Sequence, residues 1–191
     1  MNSLTERIFD SDAVCSDSER PCLGRTWHSR GFSKLSQKNP RDGILLDDSA
    51  WPLLVVKFLG VPTTAHVHAY LERMTGYLER DERHAVIFDS SGMTGIGQSQ
   101  QYHQQAEWLK RHDARLKQVR LGAAYIIHSP VVRLAVSVVY YLRPTSTPYL
   151  ITAKEGEAAR WVAARLEEDG QHGAAQRARE HFGLESQRNA G

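Results

Sequence analysis

Residues 84–99, His-Ala-Val-Ile-Phe-Asp-Ser-Ser-Gly-Met-Thr-Gly-Ile-Gly-Gln-Ser, constrain the fold more than any other stretch of the chain. Ala85 to Phe88 is a short apolar run whose length and composition suit a buried central strand. Asp89 closes it, a run rich in Ser, Thr and Gly follows, and a polar helical pattern begins near Gln98. A strand that passes through a small-residue loop into a helix places that loop at the carboxyl edge of a sheet. Open α/β proteins usually put their sites at that edge.

The flanking segments supply a sheet for this strand to join. Ile44-Leu45-Leu46 and Leu53 to Leu59 read as two strands joined by the tight turn Asp47–Ala50, hence antiparallel neighbours. Pro52 fits the start of the second strand, where its missing N–H costs no ladder bond. Thr63 or Thr64 caps a helix in which Val67, Tyr70, Leu71, Met74 and Leu78 line one face. After the central loop, a helix is predicted from about Gln98 to Leu116, with Tyr102, Ala106, Leu109 and Leu116 inward and Gln100, Gln101 and Gln104 in solvent. Val119 to His128 reads as a strand in which Gly122-Ala123-Ala124 permits close packing. Ser129-Pro130 is a helix start, a cap followed by Pro at the first helical position. The helix Val131–Leu142, the strand Tyr149–Thr152 and a helix from Glu155 to Glu168 stopped by Gly170 complete the pattern. The order β-β-α-β-α-β-α-β-α calls for an α/β fold with a mixed, mostly parallel five-stranded sheet.

The run Asp89, Ser91, Gly92, Thr94, Ile96 resembles the central segment of the STAS fold of anti-sigma-factor antagonists, and residues 43–169 follow that fold's element order. In that family an Asp-Ser-Ser-Gly at the helix start carries a phosphorylatable serine. Gly97-Gln98-Ser99-Gln100 stands at the corresponding place, with Gln98 at the phosphoacceptor position. His128-Ser129-Pro130-Val131-Val132-Arg133 and Ala158-Ala159-Arg160-Trp161 are similar to a divergent bacterial group of STAS-like domains. The resemblance implies a signalling module that regulates through protein–protein interaction. It also implies a regulatory loop of Asp89, Ser90, Ser91, Thr94, Gln98 and Ser99, in which phosphorylation at Ser99 would place negative charge at a helix start.

Residues 1–42 hold seven serines, charges of both signs and no sustained apolar period. Such a segment buries too little to offset its ordering entropy, so a disordered leader is expected, a solvated tail or a partner-binding arm. Both cysteines, Cys15 and Cys22, lie in it, as reduced thiols of a cytoplasmic protein or as one short-loop disulfide. Residues 170–191 read as a polar tail with a weakly helical Ala-Arg stretch. A net charge of +2 is too mild to imply nucleic acid, and no apolar run approaches the roughly 20 residues that span a bilayer.

Catalytic and metal chemistry find little support. Neither a P-loop nor Gly-x-Gly-x-x-Gly nor a Gly-x-Ser-x-Gly elbow is present. His66 and His68 point about 200° apart on a helix, and no pair has the His-x-x-x-His spacing, so no metal and no cofactor are expected. Asp89 reads as a carboxylate bonded to loop N–H groups. Five basic and two acidic residues between 107 and 120 make a solvated face.

The helix Val131–Leu142 differs in kind: only Arg133 and Ser137 are polar. A helix apolar on nearly every side is buried all round, covers a lipid-like ligand, or presents a face to a partner. The stripe Val132, Val136, Val139, Arg143 is the expected contact with a second chain, self-association being the simplest form. The reading is therefore a non-catalytic regulatory interaction module, with a carrier of a small apolar ligand as the alternative.

Overall fold

The computed structural model describes residues 42–95, 97, 99–142 and 147–184. The leader expected over 1–42 lies outside them except for Asp42, whose Oδ1 accepts the Val61 N–H at 3.3 Å.

Strand β1 (Gly43–Asp47) pairs antiparallel with β2 (Leu53–Gly60), Ile44 opposite Phe58 and Leu46 opposite Val56. Between them Asp47 Oδ1 accepts the Ser49 N–H at 2.9 Å, and Trp51–Pro52 is cis. Helix α1 (Thr64–Glu79) opens on a capping box. Thr63 Oγ1 accepts the His66 N–H at 3.2 Å, and His66 Nδ1 accepts the Thr63 N–H at 3.3 Å. Strands β3 (His84–Met93), β4 (Arg120–Ile126) and β5 (Tyr149–Thr152) then add in parallel, giving one sheet of order β1-β2-β3-β4-β5. Helices α2 (Ser99–Val119), α3 (Pro130–Leu142) and α4 (Glu155–Glu168) connect or follow them. The order β-β-α-β-α-β-α-β-α is the one the sequence predicts, with one helix added at its end.

The alternation of side chains along the strands divides the core into two layers. Leu54, Val56, Val86, Phe88 and Ala123 face α1 and α2, while Leu53, Val55, Ala85, Ile87, Ala124 and Ile126 face the other side. That second layer is closed by α4 and by α5 (His172–His181), which buries Ala174, Ala175 and Ala178. The stretch read as a polar tail is thus a helix packed on the sheet. Its burying residues are alanines, which leave only a faint apolar period. Gly170, at φ +79°, makes the left-handed turn between α4 and α5.

Two further expectations are corrected. The run after Asp89 is not loop at first: β3 continues through Ser90, Ser91 and Gly92 because β2 runs on beside it, Leu59 opposite Gly92 and Gly60 opposite Met93. A Cβ at Gly92 would stand 2.5 Å from Leu59 Cδ2 and 3.0 Å from the Phe58 carbonyl oxygen, so glycine is needed for that approach. Helix α2 keeps Leu109 and Leu116 inward as expected but turns its first half differently: Tyr102 and Ala106 are exposed, whereas Gln101 and Trp108 are buried. Gln101 Nε2 donates to the Pro62 carbonyl at 2.9 Å, and Trp108 Nε1 donates to Thr75 Oγ1 at 2.9 Å. These polar anchors set the helix rotation.

Candidate functional site

The carboxyl ends of β3 and β4 build a cleft with the start of α3. The two strands run in register with Asp89 beside Ile126. Two residues further along each chain stand Ser91 and His128, and Ser91 Oγ lies 3.2 Å from His128 Nδ1. The Ser90 hydroxyl donates to the Ile126 carbonyl at 2.8 Å, tying the end of β3 to the end of β4. The Ser91 N–H donates to Asp89 Oδ1 at 2.8 Å, so this carboxylate holds the backbone at the strand end. Asp89 and Ser90 are half-buried, while Ser91 and His128 are exposed.

From the other side, Ser129 starts α3. Its Oγ accepts the Val132 N–H at 3.4 Å and its carbonyl accepts the Arg133 N–H at 3.0 Å, with Pro130 as the first helical residue. The cleft enclosed has a volume of about 330 Å³. Ser90, Ser91, Thr94, Ser129 and His128 give it a polar side, and Met93, Val131 and Val132 an apolar one. None of the described residues lining it is Lys or Arg.

Of the loop residues singled out in the sequence, Asp89, Ser90, Ser91 and Thr94 meet at this cleft or beside it. Thr94 is held by its N–H, which donates to the Gly60 carbonyl at 3.0 Å. Ser99 is the first residue of α2, and Gln98 lies outside the described residues. His128 was not among the candidates. It is brought to Ser91 by the parallel register of β3 and β4, and no local spacing in the sequence carries that information.

In the expected α3 stripe, Val132 and Val136 are half-buried, and the Val139 side chain and Arg143 lie outside the described residues. The surface that α3 shows to solvent carries Val131, 62% exposed, and Leu134, 66% exposed. No α3 side chain among those described is buried. The helix leads to β5, an edge strand of four residues, which leaves little sheet beneath it. Of the five large apolar side chains exposed among the described residues, four lie toward the carboxyl ends of the strands, and the fifth, Tyr149, opens β5 at the other end. Val61 follows the last residue of β2, Tyr102 lies in the first turn of α2, and Val131 and Leu134 lie in the first turns of α3.

The opposite edge of the sheet holds a buried titratable group. His84 opens β3, is fully buried, and stacks on Trp51 at 5.3 Å between ring centroids. Trp51 stacks in turn on Tyr77, and the Arg80 guanidinium lies 4.7 Å from the Trp51 ring centroid. His84 Nδ1 is 3.0 Å from the Glu82 carbonyl, so the ring proton belongs on Nδ1, and the buried Nε2 has no partner. Burial pushes the imidazole down from 6.5 to about 4, against the hydrogen bond to Glu82 and with help from the positive charge of Arg120. Tyr70, buried on the α1 side of the sheet, has its phenol pushed well above its usual range, again by burial.

Among the described residues no group of three or more His, Cys, Asp or Glu is placed to hold a metal, and no helix is long and apolar enough to cross a membrane.

No family model matches the chain, and no curated protein does. Among solved structures it is similar to an uncharacterized protein of the DUF3478 family with a SpoIIAA-like fold from Shewanella loihica PV-4. The identity is 13% over 63% of this chain and 92% of that one, at a TM-score of 0.49. It is also similar to an anti-sigma factor antagonist from Mycobacterium paratuberculosis, at 13% identity over 62% of this chain and 92% of that one, with a TM-score of 0.42.

Proposed function

We propose that this chain is a non-catalytic regulatory module that works by protein–protein contact at the carboxyl edge of its sheet. Its first partner is a second copy of itself, met through α3. The observation that supports this reading is the exposure of Val131 and Leu134 on a helix with almost no polar residues, beside Val61 and Tyr102 at the same edge. Scattered exposed apolar residues are ordinary, but their concentration on one edge is the mark of a contact surface. A two-fold axis lets one such helix meet its own copy without a second complementary patch. The half-buried Val132 and Val136 extend this surface along α3. Gln98 in place of a phosphoacceptor gives a module without the family's usual phosphoserine, and Ser99 is the nearest hydroxyl that takes over the role.

Light scattering coupled to size exclusion tests the reading. The wild type runs as a dimer at high concentration, and Leu134→Glu converts it to folded monomers with an unchanged circular dichroism spectrum. A wild type that stays monomeric across the concentration range overturns the reading.

The cleft of about 330 Å³ at the start of α3 favours one alternative, a carrier of a small ligand with an apolar portion. A shift in melting temperature with a short-chain fatty acid, lost in Val132→Asp, would support the carrier over the interaction module.

A further inference from the structure

We propose that Ser91 is a nucleophilic hydroxyl, activated by His128, that accepts an acyl group from a small activated ester or thioester. This goes beyond partner binding; its reacting groups, Ser91 and His128, lie outside the α3 contact, while its apolar wall shares Val131 and Val132 with that contact. Ser91 Oγ and His128 Nδ1 stand 3.2 Å apart, at the edge of the range in which an imidazole takes a hydroxyl proton. The pair is preorganised from both sides. Asp89 fixes the Ser91 amide at 2.8 Å, and the Ser90 hydroxyl locks β3 to β4 at the Ile126 carbonyl, also at 2.8 Å. Both reacting groups are exposed, so a donor reaches them without any rearrangement.

The surroundings choose between acyl and phosphoryl chemistry. Phosphoryl transfer needs cations around the transferred group. None of the described residues lining this cleft is Lys or Arg, the Arg133 guanidinium nearby is turned to the Ile127 carbonyl at 3.5 Å, and the Asp89 carboxylate is bonded to the Ser91 amide. Met93, Val131 and Val132 offer an apolar wall to an acyl chain instead. In the step, Ser91 Oγ attacks the carbonyl carbon while His128 Nδ1 takes the hydroxyl proton. The bond from that carbon to the alcohol or thiol sulfur then breaks, and the leaving group carries the proton away from His128. The products are the Ser91 ester and a free alcohol or thiol.

The full-length chain is incubated with p-nitrophenyl acetate and, separately, with p-nitrophenyl butyrate. Intact mass and peptide mapping follow the product. One acyl group is expected per chain, on Ser91. It is absent in Ser91→Ala and forms on the order of a hundredfold more slowly in His128→Gln, the scale of a lost general base. Both positions are exposed, so both variants keep the wild-type circular dichroism spectrum. Acylation of Ser91 at an unchanged rate in His128→Gln, acylation on Thr94, Ser129 or lysines instead, or no acylation at all overturns the proposal. Acylation is measured on dilute monomer and on Leu134→Glu, so that its outcome and that of the self-association test are read separately.

Discussion

Acidification should destabilise this protein through His84, and the structure sets the size of the effect. The unfolded chain protonates this imidazole near its ordinary 6.5, whereas the folded protein holds it down to about 4. Between those values the unfolded state binds the extra proton, so stability falls as pH drops, by about 1.4 kcal/mol per pH unit. Integrated from pH 7.5 to pH 4, the loss from this one group is about 3 kcal/mol. The physical reason is specific. A second ring proton would sit on Nε2, which is buried without an acceptor, under the influence of the Arg120 charge. His84→Phe keeps a ring against Trp51 but cannot titrate. At neutral pH it forgoes the bond to the Glu82 carbonyl and should be about 1 kcal/mol less stable than wild type. At pH 4 the order should invert, the variant being more stable by about 2 kcal/mol, the difference between those two terms. Urea unfolding of both proteins at pH 7.5, 6, 5 and 4 measures the crossing. Parallel stability curves over that range would refute the reasoning, because they would mean His84 takes up its proton as easily folded as unfolded.

Other outcomes follow from packing and from the helix starts. Gly122→Val should cost about 1–3 kcal/mol in urea unfolding, since a Cβ there would lie 2.7 Å from Trp161 Cη2 of α4 and force that ring to shift. Removal of residues 1–41, before the Asp42 carboxylate that holds the Val61 amide, should leave the melting temperature within a few degrees of the full chain. A loss of cooperative unfolding in calorimetry would contradict this. Ser99→Asp should change partner affinity in a titration while leaving the fold intact, because it places charge at the start of α2.

The strongly patterned parts of the fold were legible from residue order. The spacing of Val67, Tyr70, Leu71, Met74 and Leu78 gave the buried face of α1, and of the two cap candidates, Thr63 and Thr64, the structure uses Thr63. The bounds of β5 and α4 coincide with the sequence reading. The failures have definite causes. Ser90-Ser91-Gly92 looked like loop because small polar residues carry no strand signal, and only the neighbouring β2 keeps them in the sheet. In α2 the few apolar residues were compatible with more than one face. Two polar side chains, Gln101 and the indole N–H of Trp108, decided between them by finding partners on other elements. At the candidate site, Asp89, Ser90, Ser91 and Thr94 were visible as a group. His128 was not, because its place beside Ser91 depends on the register of two strands separated by a 21-residue helix.

The sheet takes its strands in the order in which they are made, β1 to β5, and this shapes how the chain acquires its structure during synthesis. The layer under α1 and α2 is complete once Val119 and the strand after it have emerged. The opposite layer has no cover at that stage. Leu53, Val55, Ala85 and Ile87 wait for α4 and for the three buried alanines of α5, the last of them at residue 178. Arg177 reaches back across 126 positions to the Trp51 carbonyl at 3.1 Å. A nascent chain stopped short of α4 and α5 therefore leaves one face of its sheet bare, an apolar surface of the kind that makes incomplete chains aggregate.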